Sequence, residues 1–201
     1  MNANVTNMDI DKQRQDILDA AHQRFLDYGF GKTTMAEIAE DVSMSAANLY
    51  RYFKNKQDIA VACADRCMCS RNDHLRAAIR QSHLNAMQRL QAFALEGIRH
   101  NFEMMKDSPK INELVESVSS HDPQMIQQNV KAQVALIAEI LAFGNESGEF
   151  AVDDVVSKAE AIYTALVFFD VPIFVHMYSA EEFEDKAISV VELIMNGIRK
   201  R

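Results

Sequence analysis

The sequence predicts an all-α fold, and three observations carry that prediction. Gly occurs 6 times and Pro 3 times in 201 residues, where average usage would supply about 24 of the two together. Turns between strands draw heavily on both residues, so a β-sandwich, a β-barrel or a Gly-rich nucleotide fold is disfavoured. Apolar residues recur at three- and four-residue spacing along most of the chain, and helix-start signals punctuate it. The apolar fraction is 48% and the charged fraction 25%, the balance of an ordinary globular protein.

Residues 1–8 are polar and read as a flexible tail. From Lys12 to Tyr28, Ile17, Ala21 and Phe25 recur every fourth residue, and Gly29 supplies a stop. Thr34 and Glu37 form an S/T-x-x-E capping box before a short amphipathic helix carrying Met35, Ile38, Ala39 and Val42. Ser43-Met44-Ser45 interrupts it, and Ser45 caps a second short helix running to about Phe53. Asn55, with Asp58 three residues on, caps a long helix. Ser108-Pro109 and Asp122-Pro123 each place a capping side chain before a proline at the first helical position. Gly144 to Phe150 reads as a loop, and Asp153 as the cap of a helix carrying Ile162, Leu166 and Phe169, with a kink at Pro172. Ser179 and Glu182 form a second capping box before a last helix with Ala187, Val191, Ile194 and Ile198 on one face. About nine helices result, with a boundary near residues 54–57 between a compact N-terminal unit (9–56) and a larger bundle (57–201).

Charge at first argues against a nucleic-acid binder, because 29 acidic against 21 basic residues give a net −8. The charge is unevenly spread. Residues 1–56 hold 7 basic and 8 acidic side chains, whereas 57–201 hold 14 and 21. Between Ser43 and Gln57 there are three basic residues, Arg51, Lys54 and Lys56, and no acid.

Two short helices joined by a tight turn and braced by a preceding helix make a helix-turn-helix. On the second helix Ala46, Leu49 and Phe53 recur at i, i+3, i+7 and pack inward against Ala39 and Phe25. Ala47, Asn48 and Arg51 then face outward, with Tyr50 and Tyr52 on the flanks. Small residues at the helix start permit close approach to DNA. Asn48 offers a donor and an acceptor to a base edge, Arg51 suits guanine or a phosphate, and Tyr50, Tyr52, Lys54 and Lys56 suit phosphates.

The stretch from Gly31 to Lys56 resembles the DNA-binding domain of the TetR family of bacterial transcriptional regulators. The resemblance rests on Thr33-Thr34, Ile38-Ala39, Ser45, the run Leu49-Tyr50-x-Tyr52-Phe53, and Lys56. Ser43 stands where the family usually has a turn glycine, and Ala47 where a glycine is frequent. The resemblance implies a DNA-contacting set of Thr34, Ser45, Ala46, Ala47, Asn48, Tyr50, Arg51, Tyr52, Lys54 and Lys56. It also implies a ligand-binding and dimerisation domain in the rest of the chain. Such a protein is expected to act as a homodimeric repressor on a palindromic double-stranded operator and to be released by a small-molecule effector. The dimer seam would draw on Ile162, Leu166, Phe169, Ala187, Val191, Ile194 and Ile198.

Candidates for an effector cavity are His100, Phe102, Met104, Met105, Phe143, Phe168 and Phe169, with His176 able to orient a polar group. Cys63, Cys67 and Cys69 share one helix. They fit small apolar packing residues, or alternatively a thiol sensor or soft-metal site with His74 in a helical protein whose DNA binding is weakened or lost. Glu181, Glu182, Glu184 and Asp185 sit in a first helical turn, where the macrodipole favours carboxylates without a metal. No P-loop, HExxH or nucleophile elbow is present, so neither an enzyme nor a cofactor is expected. No basic-apolar leader or membrane span is visible; the longest apolar run, Ala165 to Val175, is broken by Asp170 and Pro172. A cytoplasmic protein with reduced thiols is expected.

Overall fold

A computed structural model describes residues 3–106, 110–171, 174 and 177–198, with side chains described except at 3–8, 105, 106, 111 and 170. Among the described residues there are nine α-helices and no strand: α1 (Ala3–Tyr28), α2 (Met35–Asp41), α3 (Ala46–Leu49), α4 (Lys56–Ile79), α5 (Ala86–Lys106), α6 (Ile111–His121), α7 (Pro123–Glu146), α8 (Val155–Asp170) and α9 (Ala180–Ile198). None of the described helices is long and apolar enough to cross a membrane. By compactness the chain divides into two units. The first is Met1–Cys67 with Asp107–Met125, and the second is Met68–Lys106 with Ile126–Arg201. Helix α6 therefore belongs with the helix-turn-helix elements, a grouping that local patterns along the chain do not reveal.

Most capping signals act as read. The Thr34–Glu37 box closes on α2, with the Glu37 N–H donating to Thr34 Oγ1 at 3.3 Å and the Thr34 N–H donating to Glu37 Oε2 at 2.8 Å. Asn55 Oδ1 accepts from the Asp58 N–H at 2.8 Å, Asp122 Oδ1 from the Met125 N–H at 3.0 Å, and Ser179 Oγ from the Glu182 N–H at 3.2 Å. Each such cap contributes about 1 kcal/mol by satisfying an orphan amide of the first turn.

Four local expectations need correction. Helix α1 starts at Ala3 rather than at Lys12, so 3–8 are helical and not a loose tail. No Gly or Pro interrupts that stretch, and extending a formed helix requires no second nucleus. Helix α3 closes at Leu49, after which Arg51, Tyr52 and Phe53 continue as tight turns through N–H donation to Asn48 and Leu49 carbonyls. Asp154, one residue past the expected Asp153, caps α8 by accepting from the Ser157 N–H at 3.0 Å. Helix α7 runs through Gly144 to Glu146, and the loop begins only there. The Ser108-Pro109 start and the Pro172 kink lie outside the described residues. Val171, just before Pro172, is extended (φ −95°, ψ 120°), as the proline ring demands of its predecessor.

In the first unit Ile17, Ala21 and Phe25 of α1, Ile38 and Ala39 of α2, and Leu49 with Phe53 are buried together with Ile59, Ala60 and Cys63 of α4. Helix α1 packs on α2 and on α6, and α2 on α3. In the second unit α5 packs on α8 and α9, and α8 on α9. Its core includes Leu75, Ile79, Leu90, Ile98, Ile137, Ile140 and Phe183.

The expected dimer residues Ile162, Leu166, Phe169, Ala187 and Val191 belong to that same core and are buried within the chain itself. A helical apolar stripe shows that a face is covered and not by what, and here the chain's own core covers it. Ile194 and Ile198 are half-buried at its margin. The large exposed apolar side chains of the last two helices are instead Val156, Val167 and Leu193, the last 75% exposed.

The turn between α2 and α3 carries a strained residue. Ser43 has φ +54°, in the left-handed region that favours glycine. Its N–H donates to the Glu40 carbonyl at 2.9 Å, and the Met44 N–H to the Ala39 carbonyl at 2.9 Å, which holds the turn despite the side chain. Ser43→Gly is expected to stabilise the protein by about 0.5–1 kcal/mol, as relief of strain outweighs the added freedom of the unfolded chain. A melting temperature that does not rise would show the turn to be unstrained.

Candidate nucleic-acid interface

The interface is built on α3. Ser45 caps it, with Oγ accepting from the Asn48 N–H at 3.2 Å. Leu49 and Phe53 turn inward and are buried. That leaves Ala47, Tyr50, Arg51 and Lys54 exposed, and Ala46 and Asn48 half-exposed, on the outer side. Arg51 Nη1 lies 3.5 Å from Asn48 Oδ1, one turn back, so the two polar groups point the same way. The structure thus brings together Ala46, Ala47, Asn48, Tyr50, Arg51 and Lys54 as one accessible face.

Besides Ser45, three expected contacts are already engaged within the chain. The Thr34 hydroxyl accepts from the Glu37 N–H and lies 2.7 Å from Glu37 Oε2. The hydrogen bonds that the Thr34 hydroxyl and N–H donate to Glu37 Oε2, more than the nearby Arg24 charge, hold the Glu37 carboxyl below its ordinary range. Tyr52 is half-buried; its hydroxyl lies 3.5 Å from Gln13 Oε1, and its carbonyl accepts from Arg14 Nη1 at 3.4 Å. The Lys56 ammonium donates to the Phe30 carbonyl at 2.6 Å and the Thr33 carbonyl at 2.7 Å, and sits 4.3 Å from the centre of the Phe30 ring. Burial lowers its pKa from the usual lysine value.

Two arginines of α1 brace this unit, and periodicity gave no sign of them because their partners are distant in sequence. Arg24 forks onto Asp41 of α2 through Nε and Nη2, the latter at 3.0 Å from Oδ1, and reaches Glu37 Oε1 at 3.5 Å. Arg14 lies over the Phe53 ring at 4.3 Å. Both fix α1 against the elements that carry the exposed face.

Cys69 is exposed, whereas Cys63 and Cys67 are poorly placed for redox chemistry. Cys63 is buried, its Sγ–H 3.4 Å from the Leu18 carbonyl, and burial pushes the thiol up to about 12. Burial raises Cys67 as well. The thiolate is the reactive form, and both groups are held as thiols. Among the described residues no group of three or more His, Cys, Asp or Glu is placed to hold a metal ion.

Of the effector-cavity candidates, Phe102, Phe168 and Phe169 meet around Phe183, with ring centroids 5.8, 5.5 and 5.4 Å from it. His100 and Met104 are half-buried. Phe143 instead lies under the Arg89 guanidinium, 3.7 Å from the ring centre. The Met105 side chain and His176 lie outside the described residues.

A capped helix-turn-helix with an accessible second helix, in a chain whose other unit is built of α-helices among the described residues, defines a DNA-binding transcriptional regulator. Residues 17–63 match the family model for bacterial regulatory proteins of the tetR family, and residues 86–191 match that for the tetracyclin repressor-like C-terminal domain. The chain belongs to the TetR family. It is 28% identical over 136 residues to the HTH-type transcriptional regulator YvkB of Bacillus subtilis strain 168, covering 65% of this chain and 71% of that one. The fold is similar to a transcriptional regulator from Cytophaga hutchinsonii ATCC 33406, with TM-score 0.71 and 23% identity over 92% of this chain and 97% of that one. A candidate TetR-family regulator from Mesorhizobium loti MAFF303099 has TM-score 0.78 at 19% identity over 95% and 98% of the two chains. These families and neighbours are transcriptional regulators, not enzymes.

Proposed function

We propose that this protein is a cytoplasmic, ligand-responsive repressor that binds a palindromic operator as a homodimer and leaves it when a small molecule occupies the second unit. The exposed face of α3 carries the reading. Ala46 and Ala47 admit a close approach, Asn48 and Arg51 supply base-reading groups, and no acid lies between Ser43 and Gln57 to repel phosphate. A twofold dimer would place one such helix in each half-site. Val156, Val167 and Leu193 are the large exposed apolar groups of α8 and α9, available to a partner subunit. An effector acts by binding the DNA-incompetent arrangement more tightly than the competent one.

Selection of bound duplexes from a random pool tests this directly. Recovery of an inverted repeat is expected, and no enrichment even at low salt would sink the proposal. Asn48→Ala is expected to relax preference at one position of each half-site, costing about 1–3 kcal/mol there while leaving affinity for other sequences nearly unchanged. The same selection repeated with the variant measures that change.

A further inference from the structure

The start of α5, the loop that follows α7 and the last turns of α9 surround a cavity of about 400 Å³, all within the second unit. Small-molecule sites commonly have roughly 300–1,000 Å³, an apolar lining and a few polar groups that orient the guest. Met87, Phe150 and Met195 supply the apolar part here. Phe150 and Met195 are 5% and 3% exposed and belong to the core, so the floor of the cavity is held from behind. Asn85, Glu149, Glu192 and Asn196 supply the polar part.

No base offsets the two acids. Among the described residues no Lys, Arg or His lines the cavity. Arg89, the base nearest in sequence to Met87, is engaged with the Leu84 carbonyl at 3.2 Å and with the Phe143 ring. Lys186, the nearest to Glu192, lies 4.6 Å from the centre of the Tyr178 ring.

Acceptors are also left over. Glu149 Oε1 accepts from the Ala86 N–H at 3.1 Å and lies 2.9 Å from Ser147 Oγ, which ties this carboxylate to the start of α5. Its Oε2, the exposed Glu192 carboxylate and the Asn196 amide oxygen have no hydrogen-bond partner among the described residues. An ammonium carries three protons to donate and accepts none, so these three acceptors match it. The acids by themselves would mark only a solvated face. The apolar floor beneath them is what makes this a site for a molecule with a body.

We propose that this cavity binds a primary amine with an apolar body, the ammonium held by Glu149, Glu192 and Asn196 and the body resting on Met87, Phe150 and Met195. A carboxylate of the same shape would meet two like charges, and an alcohol lacks the charge that strengthens a hydrogen bond to a carboxylate. A bare metal ion is a poorer match. Among the described residues no group of three or more His, Cys, Asp or Glu is placed to hold one, and the apolar floor offers it no ligand. The proposal concerns the second unit alone and does not depend on the regulator reading.

The test uses the full-length protein with 2-phenylethylamine, tryptamine and hexylamine, each beside the alcohol and the carboxylate of the same skeleton. At about 1 mM, at least one amine is expected to raise the melting temperature by about 2 °C or more, while its alcohol and carboxylate do not. Titration calorimetry with that amine should show binding weakened about tenfold in Glu192→Gln. Glu192 is exposed and makes no hydrogen bond or ion pair with a described residue, so this variant should melt with the parent and report on binding alone. If no amine outperforms its own alcohol, or if Glu192→Gln binds the amine as tightly as the parent, the proposal is wrong.

Discussion

Gly144→Ala is expected to destabilise the second unit by about 3 kcal/mol, the upper end of what overpacking a core usually costs. Gly144 is buried in the last turns of α7, and a Cβ there would come within 2.0 Å of Cδ2 on the Phe150 ring. That ring is itself 5% exposed and belongs to the main core of the unit. It has little room to retreat, because the segment is tied down. The Glu149 and Phe150 N–H groups both donate to the Gly144 carbonyl at 2.9 Å, and Asn145 exchanges hydrogen bonds with Val152 at 2.8 and 2.9 Å. For a protein of this size the loss corresponds to a fall in melting temperature of about 6–12 °C. Scanning calorimetry measures it. Gly148→Ala offers the contrast: no atom lies within 4 Å of the added Cβ, and the cost there comes from its φ of +76° alone. Should Gly144→Ala melt with the parent, the close approach of α7 to Phe150 would be wrong.

That glycine also shows where local patterns stop informing. In the sequence, Gly144 to Phe150 looks like a loop because Gly is a poor helix former. In the structure Gly144 is helical, and its missing Cβ serves a tertiary contact. The capping boxes at Thr34 and Ser179 and the caps at Asn55 and Asp122 were legible because both partners lie within one turn. The helix-turn-helix was legible for the same reason, since its turn and periodicities fall within residues 34–53. The Arg24–Asp41 pair, the placement of α6 in the first unit, and the assignment of Ala187 and Val191 to the chain's own core all depend on what lies opposite in space.

Lys56→Ala supplies the second large effect, and it separates folding from DNA contact. The spacing of basic residues alone puts Lys56 among the phosphate contacts, for which removal would chiefly flatten the salt dependence of binding. Its ammonium, however, spends two of its three protons on the Phe30 and Thr33 carbonyls and lies against the Phe30 ring. Those carbonyls belong to the connection between α1 and α2 and would be left without that donor. Charge-assisted hydrogen bonds of this kind contribute about 1.5–3 kcal/mol, so Lys56→Ala is expected to lower stability by about 2 kcal/mol. Lys54 is exposed, and Lys54→Ala should leave the melting temperature unchanged while reducing the slope of log affinity against log salt by about 0.9. Anisotropy titrations across a salt series, run well below the melting point of either variant, compare the two. The expected pattern is a lower melting temperature with a smaller change of slope for Lys56→Ala, and the reverse for Lys54→Ala. A stable Lys56→Ala protein that has lost a full unit of slope would return Lys56 to the phosphate-contacting set and show that its carbonyl contacts give way when DNA is bound.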